Sequence, residues 1–292
     1  MSKKGYIWWW VLPSIILFSV IILVPFIMSL TYSFRDYSFT SSTARGQFIG
    51  LDNYAKLVLD KGFYDSFVAT FKYMVPALLL QGGLGIGMAM VMSGAVRRAR
   101  ILIPILLLPT LLTPVVIGLI GILTLSTEFG VLGIPLYQSG LIKEAVLGSQ
   151  TLALPAIVLI DTYQWAPFVA VIVLAGLLAL PKEPYEAAQV DGASRWQTFF
   201  RVTAPLLWPY LVVAMIIRFI DAFKIFDIVW VMTHGGPGTL TETISIFAYR
   251  ETLRYWNIGY GSALIMVIFI VISILVEYLY KALQSVQRTQ QT

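Results

Sequence analysis

Asp161, Arg218, Asp221, Lys224 and Asp227 stand inside stretches of sequence that are otherwise apolar. An ionisable side chain in a hydrocarbon interior costs about 2.5–3.5 kcal/mol on insertion scales, so it pairs with another or lines a polar path. Arg218, Asp221, Lys224 and Asp227 recur at intervals of three, which on a single helix sets neighbours on one side. Arg218 with Asp221, and Asp221 with Lys224, can then neutralise each other. One reading is an internal ion-pair ladder that fixes the position of the helix. The other is the polar wall of a solute path. In that wall Asp161, Trp165, Asp221, Lys224 and Asp227 offer hydrogen bonds and charge, and Trp165, Phe223 and Phe226 offer ring faces. A solute rich in hydroxyls but with apolar CH faces suits such a lining. Both readings fit the spacing.

Other chemistry finds little support. Cysteine is absent, which removes disulfides, thiolate metal sites and thiol nucleophiles. His234 is the single histidine, so a histidine metal cluster is excluded, and its glycine-rich surroundings mark it as a loop residue. No Ser/His/Asp set, HExxH or paired acid sits at a catalytic spacing, and Asp221 and Asp227 form a pair only if Lys224 between them is ignored. Gly82, Gly83, Gly85 and Gly87 loosely resemble a dinucleotide loop, but no strand precedes them. They read instead as a small packing face, with Gly83 and Gly87 in a G-x-x-x-G pair. No G-x-x-x-x-G-K-[ST] phosphate loop is present. We therefore expect no catalytic residue, metal or cofactor on this chain.

The elements that must hold the charges follow from composition. Of the 292 residues 58% are hydrophobic and 12% charged, against about 25% charged in soluble domains. The outer surface must therefore face lipid. About 20 apolar residues cross a hydrocarbon core of roughly 30 Å as a helix. Six stretches qualify, at about Ile7–Leu30, Phe67–Met92, Ile101–Leu125, Leu152–Leu180, Leu206–Met232 and Ile258–Tyr280. Lys3 and Lys4 ahead of the first imitate a signal peptide, but its length and the lack of a small-residue cleavage site mark a retained span. Pro104, Pro109 and Pro114 kink the third span and Pro167 the fourth. The fold class is thus all-α, polytopic, with residues 1–292 forming one transmembrane unit. No internal repeat of the kind found in many secondary transporters is visible.

Lys and Arg set the orientation. With the N-terminus inside, the inner segments carry ten bases (Lys3, Lys4, Arg97, Arg98, Arg100, Lys182, Arg195, Arg201, Lys281 and Arg288) against three acids. The outer segments carry eight of each. This is the positive-inside pattern, with both termini cytoplasmic. Trp8, Trp9, Trp10, Trp208, Tyr210, Tyr278 and Tyr280 fall near the expected interfaces as aromatic belts.

One inner segment, residues 181–205, is far richer than a connection needs. Pro184 suits the first turn of a helix that runs on to Val190. Asp191-Gly192 signals a turn, with Gly192 able to take positive φ. Ser194 with Gln197 is a capping-box pattern opening a second short helix, which Trp196, Phe199, Phe200 and Val202 make amphipathic. Pro205 then marks the start of the fifth span. The hairpin either lies on the membrane surface or docks a cytoplasmic partner.

Glu186-Ala187-Ala188, then Asp191-Gly192-Ala193, with Pro205 closing the segment, resembles the E-A-A loop of the permease subunits of ATP-binding-cassette (ABC) importers, in the form typical of the carbohydrate-uptake branch. Phe48-Ile49-Gly50-Leu51-Asp52-Asn53-Tyr54 is similar to the F-x-G-L-x-N-Y of maltose-type permeases, and Thr233-His234-Gly235-Gly236-Pro237-Gly238 to their T-x-G-G-P-G. The resemblance covers nearly the whole chain, although it has neither the extra spans nor the large external domain of some members. It implies import of a sugar, polyol or oligosaccharide across a bacterial inner membrane. The implied partners are a second homologous permease, two ATPase subunits carrying ATP and Mg, and an extracytoplasmic solute-binding protein. Glu186 would anchor the hairpin in an ATPase cleft, Ala187 and Ala188 would permit close approach, and Asp191-Gly192 would form the turn. The alternative is an ion-coupled secondary transporter or channel using the acids of the fourth and fifth spans.

Overall fold

The computed structural model describes the backbone of residues 3–39, 45–94 and 96–291, and side chains within 11–39, 46–94 and 103–281. Lys3, Lys4, Trp8, Trp9, Trp10, Arg97, Arg98, Arg100 and Arg288, used above for orientation and belts, lie outside the described side chains. Among the described residues the regular structure is helical apart from one small antiparallel strand pair. Its elements are α1 (Lys3–Ser33), β1 (Arg35–Tyr37), β2 (Arg45–Phe48), α2 (Asp52–Leu59), α3 (Lys61–Ser93), α4 (Val96–Leu111), α5 (Pro114–Leu125), α6 (Gly133–Gln138), α7 (Ala153–Ala179), α8 (Glu183–Val190), α9 (Arg195–Thr198), α10 (Ala204–Phe223), α11 (Asp227–Thr233), α12 (Ile244–Tyr249) and α13 (Ile258–Gln291). Among the described residues, five helices are long and apolar enough to cross a membrane, or up to six spans if α4 and α5 together make one.

The chain divides into two compact units. In the first, residues 1–64 and 247–271, the Phe48–Tyr54 motif anchors the end of α1. The Asn53 amide donates to the carbonyls of Ser33 and Arg35 at 2.9 and 3.0 Å, and the Tyr54 hydroxyl donates to Ser33 Oγ at 2.8 Å. These bonds occupy carbonyls that the end of a helix leaves without partners. Antiparallel β1 and β2 extend the same segment, a feature the apolar-run reading does not foresee. Asp60 accepts from the Tyr260 hydroxyl and from the Gly62 amide, tying α2 to the start of α13.

In the second unit, residues 65–246 and 272–292, α7 is the central helix. Ala156, Ala166, Val169, Ala170, Val173 and Gly176 keep it slim, and α3 and α10 close on it over Ala89, Met92, Leu174, Leu207 and Ala214. The small face of α3 differs from the expected one. Positions 83 and 87 open onto empty space, while a Cβ at Gly85 would lie 2.6 Å from the Val169 side chain and one at Gly82 would touch Met215. The glycines that matter are therefore those in register with the buried stripe Tyr73, Ala77, Gln81, Ala89. Gly85→Leu is expected to overpack this seam and lower stability by about 1–3 kcal/mol or more, while Gly83→Leu leaves it nearly unchanged. Thermal unfolding of the two purified variants checks this; equal melting would refute the seam.

Two expected spans are broken. The Ile101–Leu125 stretch is two helices meeting at 96°, because Pro114 cannot donate and begins a new helix at its first position. Gln164 Nε2 donates to the Leu112 carbonyl at 3.0 Å, and Thr110 Oγ1 donates to the Gln164 carbonyl at 2.7 Å, so α7 supplies the bonds that the corner lacks. The Leu206–Met232 stretch ends as α10 at Phe223 and resumes as α11 at Asp227, with Thr243 Oγ1 donating to the freed Ile225 carbonyl at 3.1 Å. Irregular backbone at such depth is tolerated where protein buries it or where it lines a cavity. Both conditions hold here.

Candidate functional site

The two breaks face one pocket. Its volume is about 280 Å³, and Tyr73 of α3, Pro114 of α5, Asp161 and Trp165 of α7, Arg218 and Asp221 of α10, the connection at Lys224–Phe226, and Asp227 and Ile228 of α11 line it. All five residues expected on the solute path (Asp161, Trp165, Asp221, Lys224 and Asp227) are therefore brought together.

Arg218 organises the wall. Its side chain is buried, and its Nε donates to Gln81 Oε1 at 2.9 Å. Its Nη2 donates to Asp161 Oδ2 at 3.3 Å, the same oxygen that accepts from Gln81 Nε2 at 2.7 Å. Nη1 lies 3.8 Å from Asp221 Oδ2 and has no hydrogen-bond partner among the described residues. The guanidinium face lies 4.2 Å from the centre of the Trp165 ring, a cation–π contact. Asp221 in turn stands 3.4 Å from Lys224 Nζ. The ion pairs of the ladder lie in the lining of the pocket, so the charges that face the cavity are largely neutralised by one another.

The ladder stops at Lys224. With the helix broken there, Asp227 opens α11 instead of adding a fourth rung, and it makes no ion pair among the described residues. Its carboxylate sits in the first turn of a helix, where the dipole favours negative charge. Phe223 is a second correction. It is fully buried and packs edge-on against Phe67 and Phe71, away from the cavity, whereas Phe226 does line it.

Gln81 and Tyr73 were missed as members of the site. They sit eight residues apart on α3, two turns of one face, and Gln81 is a wholly buried amide in an apolar run. That polar interruption is the signal in the sequence, and it stands directly beside the glycines of the packing face.

The hairpin forms as its local signals require. α8 ends in a left-handed Gly192, φ +71°, with Gly192 N–H donating to the Gln189 carbonyl and Ala193 N–H to the Ala188 carbonyl. This is the Schellman arrangement, in which glycine avoids the strain of a Cβ. Ser194 then caps α9 reciprocally, Gln197 N–H donating to Ser194 Oγ at 3.3 Å and Ser194 N–H to Gln197 Oε1 at 2.8 Å. Glu186, Ala187, Asp191 and Gly192 are exposed and Ala188 half-buried. The second helix differs from expectation: a π-helical turn, Phe199–Thr203, carries it without a stop into α10. The hairpin is therefore continuous in helical backbone with the helix that bears Arg218. Val190, Trp196 and Phe200 leave large apolar side chains exposed on it, 88, 74 and 64%.

His234 closes α11 in the left-handed region at φ 53° with its ring against Trp230, a structural position. No cluster able to hold a metal ion occurs among the described residues.

Comparison with known proteins gives consistent matches. The model of the family described as "Binding-protein-dependent transport system inner membrane component" matches residues 81–288. The trehalose/maltose transport system permease protein MalF of Thermococcus litoralis is 33% identical over 95% of this chain and 93% of that protein. The sulfoquinovosyl glycerol transport system permease protein SmoG of Agrobacterium fabrum is 36% identical over 88% of this chain and 83% of that protein. Among solved structures, a chain of a bacterial ABC transporter involved in the import of the acidic polysaccharide alginate superposes with a TM-score of 0.80 at 23% identity, over 97% of this chain and 96% of that one.

Proposed function

Since the chain belongs to the family of binding-protein-dependent transport system inner membrane components, we propose that it forms one half of the solute path of a sugar importer. It is a multi-pass inner membrane permease component of an ABC importer, not an enzyme. In our reading the solute is a sugar, polyol or oligosaccharide, which the names of the trehalose/maltose and sulfoquinovosyl glycerol relatives support. The single observation that carries the reading is the pocket at the two helix breaks. It presents Asp221, Lys224 and Asp227 for hydroxyls and Trp165 for a ring face. Discontinuous helices bring helix ends to a site that a continuous helix would carry past it.

A second, homologous permease would complete the path, since one bundle leaves the pocket open on a side. Two ATPase subunits, holding ATP and Mg, would each receive one hairpin. Glu186 and Ala187 are exposed for that contact, with Ala188 half-buried beside them, and Gly192 sets the turn. An extracytoplasmic binding protein would deliver the solute to the opposite side. The excess of Lys and Arg in the inner segments supports a cytoplasmic position for both termini.

The test is uptake by vesicles holding the chain with its partner subunits, using maltose and trehalose loaded on the cognate binding protein. Uptake is expected to need internal ATP and the loaded binding protein and to survive collapse of proton and sodium gradients. Uptake driven by an ion gradient without ATP would return the reading to an ion-coupled carrier. Within the same assay Trp165→Ala removes a ring face and the cover over Arg218. It is expected to raise the KM for uptake severalfold, as a contact worth roughly 0.5–2 kcal/mol would.

A further inference from the structure

We infer that the pocket selects uncharged glycosides and disfavours acidic ones. This rests on the pocket being the solute path, and the charges facing it carry the argument. Its described lining holds three carboxylates, Asp161, Asp221 and Asp227, and two bases, Arg218 and Lys224, a formal excess of one negative charge.

Each base already faces a carboxylate. Arg218 gives Nε to Gln81 and Nη2 to Asp161, keeps its buried Nη1 without a hydrogen bond 3.8 Å from Asp221, and turns its face to Trp165. An anion drawing the guanidinium forward would leave the buried Asp161 unpaired, which is strongly unfavourable. Lys224 is more exposed and held only by Asp221 at 3.4 Å, so it can turn to a ligand. Doing so uncovers Asp221 and leaves the total unchanged. An acidic solute therefore deepens the negative excess whichever base it meets.

Asp227 makes the preference positive. It is exposed, carries no ion pair among the described residues, and projects only acceptors toward the cavity. A carboxylate accepts strong hydrogen bonds from sugar hydroxyls, whereas the carboxylate or sulfonate of an acidic sugar has no proton to give it. Relatives named for neutral sugars and for an anionic one occur at similar identity, so whole-chain likeness leaves this choice open. The local charges decide it.

The experiment takes the assembled complex in lipid nanodiscs, without its binding protein, and titrates maltose and trehalose against digalacturonate and dimannuronate by saturation-transfer NMR. Wild type is expected to hold the neutral disaccharides at least about tenfold more tightly, about 1.4 kcal/mol. Asp227→Asn, which removes the excess charge, is expected to shrink the preference to about threefold by strengthening the acidic pair. Trp165→Ala, acting on a ring face, weakens the neutral sugars. Acidic disaccharides that bind as well as neutral ones, with Trp165→Ala weakening both, would overturn the charge argument while leaving the solute path standing. If Trp165→Ala alters neither class, the path reading falls and this inference with it.

Discussion

Arg218→Ala is expected to abolish uptake and to destabilise the folded chain by about 3–5 kcal/mol, the range for breaking a buried ion pair from one side. The cost does not come mainly from the attraction lost. It comes from Asp161, 2% exposed, left as an uncompensated carboxylate, and from Gln81, which loses the donor to its Oε1. Arg218→Lys retains the charge but not the fork that reaches Gln81, Asp161 and Asp221 together, so it should recover only part of the stability. Arg218→Met combined with Asp161→Leu is the informative companion. Removing both charges should restore much of the melting temperature while uptake remains lost, because the polar wall is gone. Thermal unfolding and vesicle uptake on the same preparations separate the two roles. Wild-type melting of Arg218→Ala would show that the network does not hold the bundle.

The second large effect is expected at the hairpin, where Glu186→Lys should release the ATPase subunits or cut solute-stimulated ATP hydrolysis by about tenfold or more. Glu186 is exposed and its side chain makes no hydrogen bond or ion pair among the described residues, so its reversal should leave the fold of the permease intact. Gly192→Val acts differently. No atom lies within 4 Å of an added Cβ, so there is no clash, but φ of +71° costs a non-glycine residue roughly 1–2 kcal/mol. A β-branched side chain should therefore unwind the end of α8 and displace Glu186, whereas Gly192→Asn, which tolerates the left-handed region, should stay near wild type. Co-purification of the ATPase and its stimulated activity report the outcome. Full coupling in both Glu186→Lys and Gly192→Val would remove the hairpin from the transmission of ATP-driven movement. Because the π-helical turn joins the hairpin to α10, a displaced hairpin should also alter the pocket, which uptake would register.

Whatever depends on neighbours along the chain was legible in the residues. Apolar runs of membrane length announced the spans, since a helix satisfies its own backbone wherever it is placed. The αL glycine at 192 and the reciprocal Ser194–Gln197 cap are local hydrogen-bond geometry, and they formed as their residue types require. The intramembrane charges were conspicuous for the opposite reason, the cost of placing them in lipid, and Asp161, Asp221, Lys224 and Asp227, which that cost singles out, all line the pocket. Tertiary structure alone decided how those charges are shared. Periodicity assumes a continuous helix, and so extended the ladder to Asp227 and admitted Phe223. The chain instead broke at Lys224–Phe226, where Thr243 from another segment supplies the missing hydrogen bond. Likewise Gln164 turned a kink at Pro114 into a corner of 96°. The partners of Arg218 lie 137 and 57 positions away, at Gln81 and Asp161. No pattern along the chain can pair them, because such a contact exists only once three helices have closed and the water that would otherwise solvate each charge has been expelled.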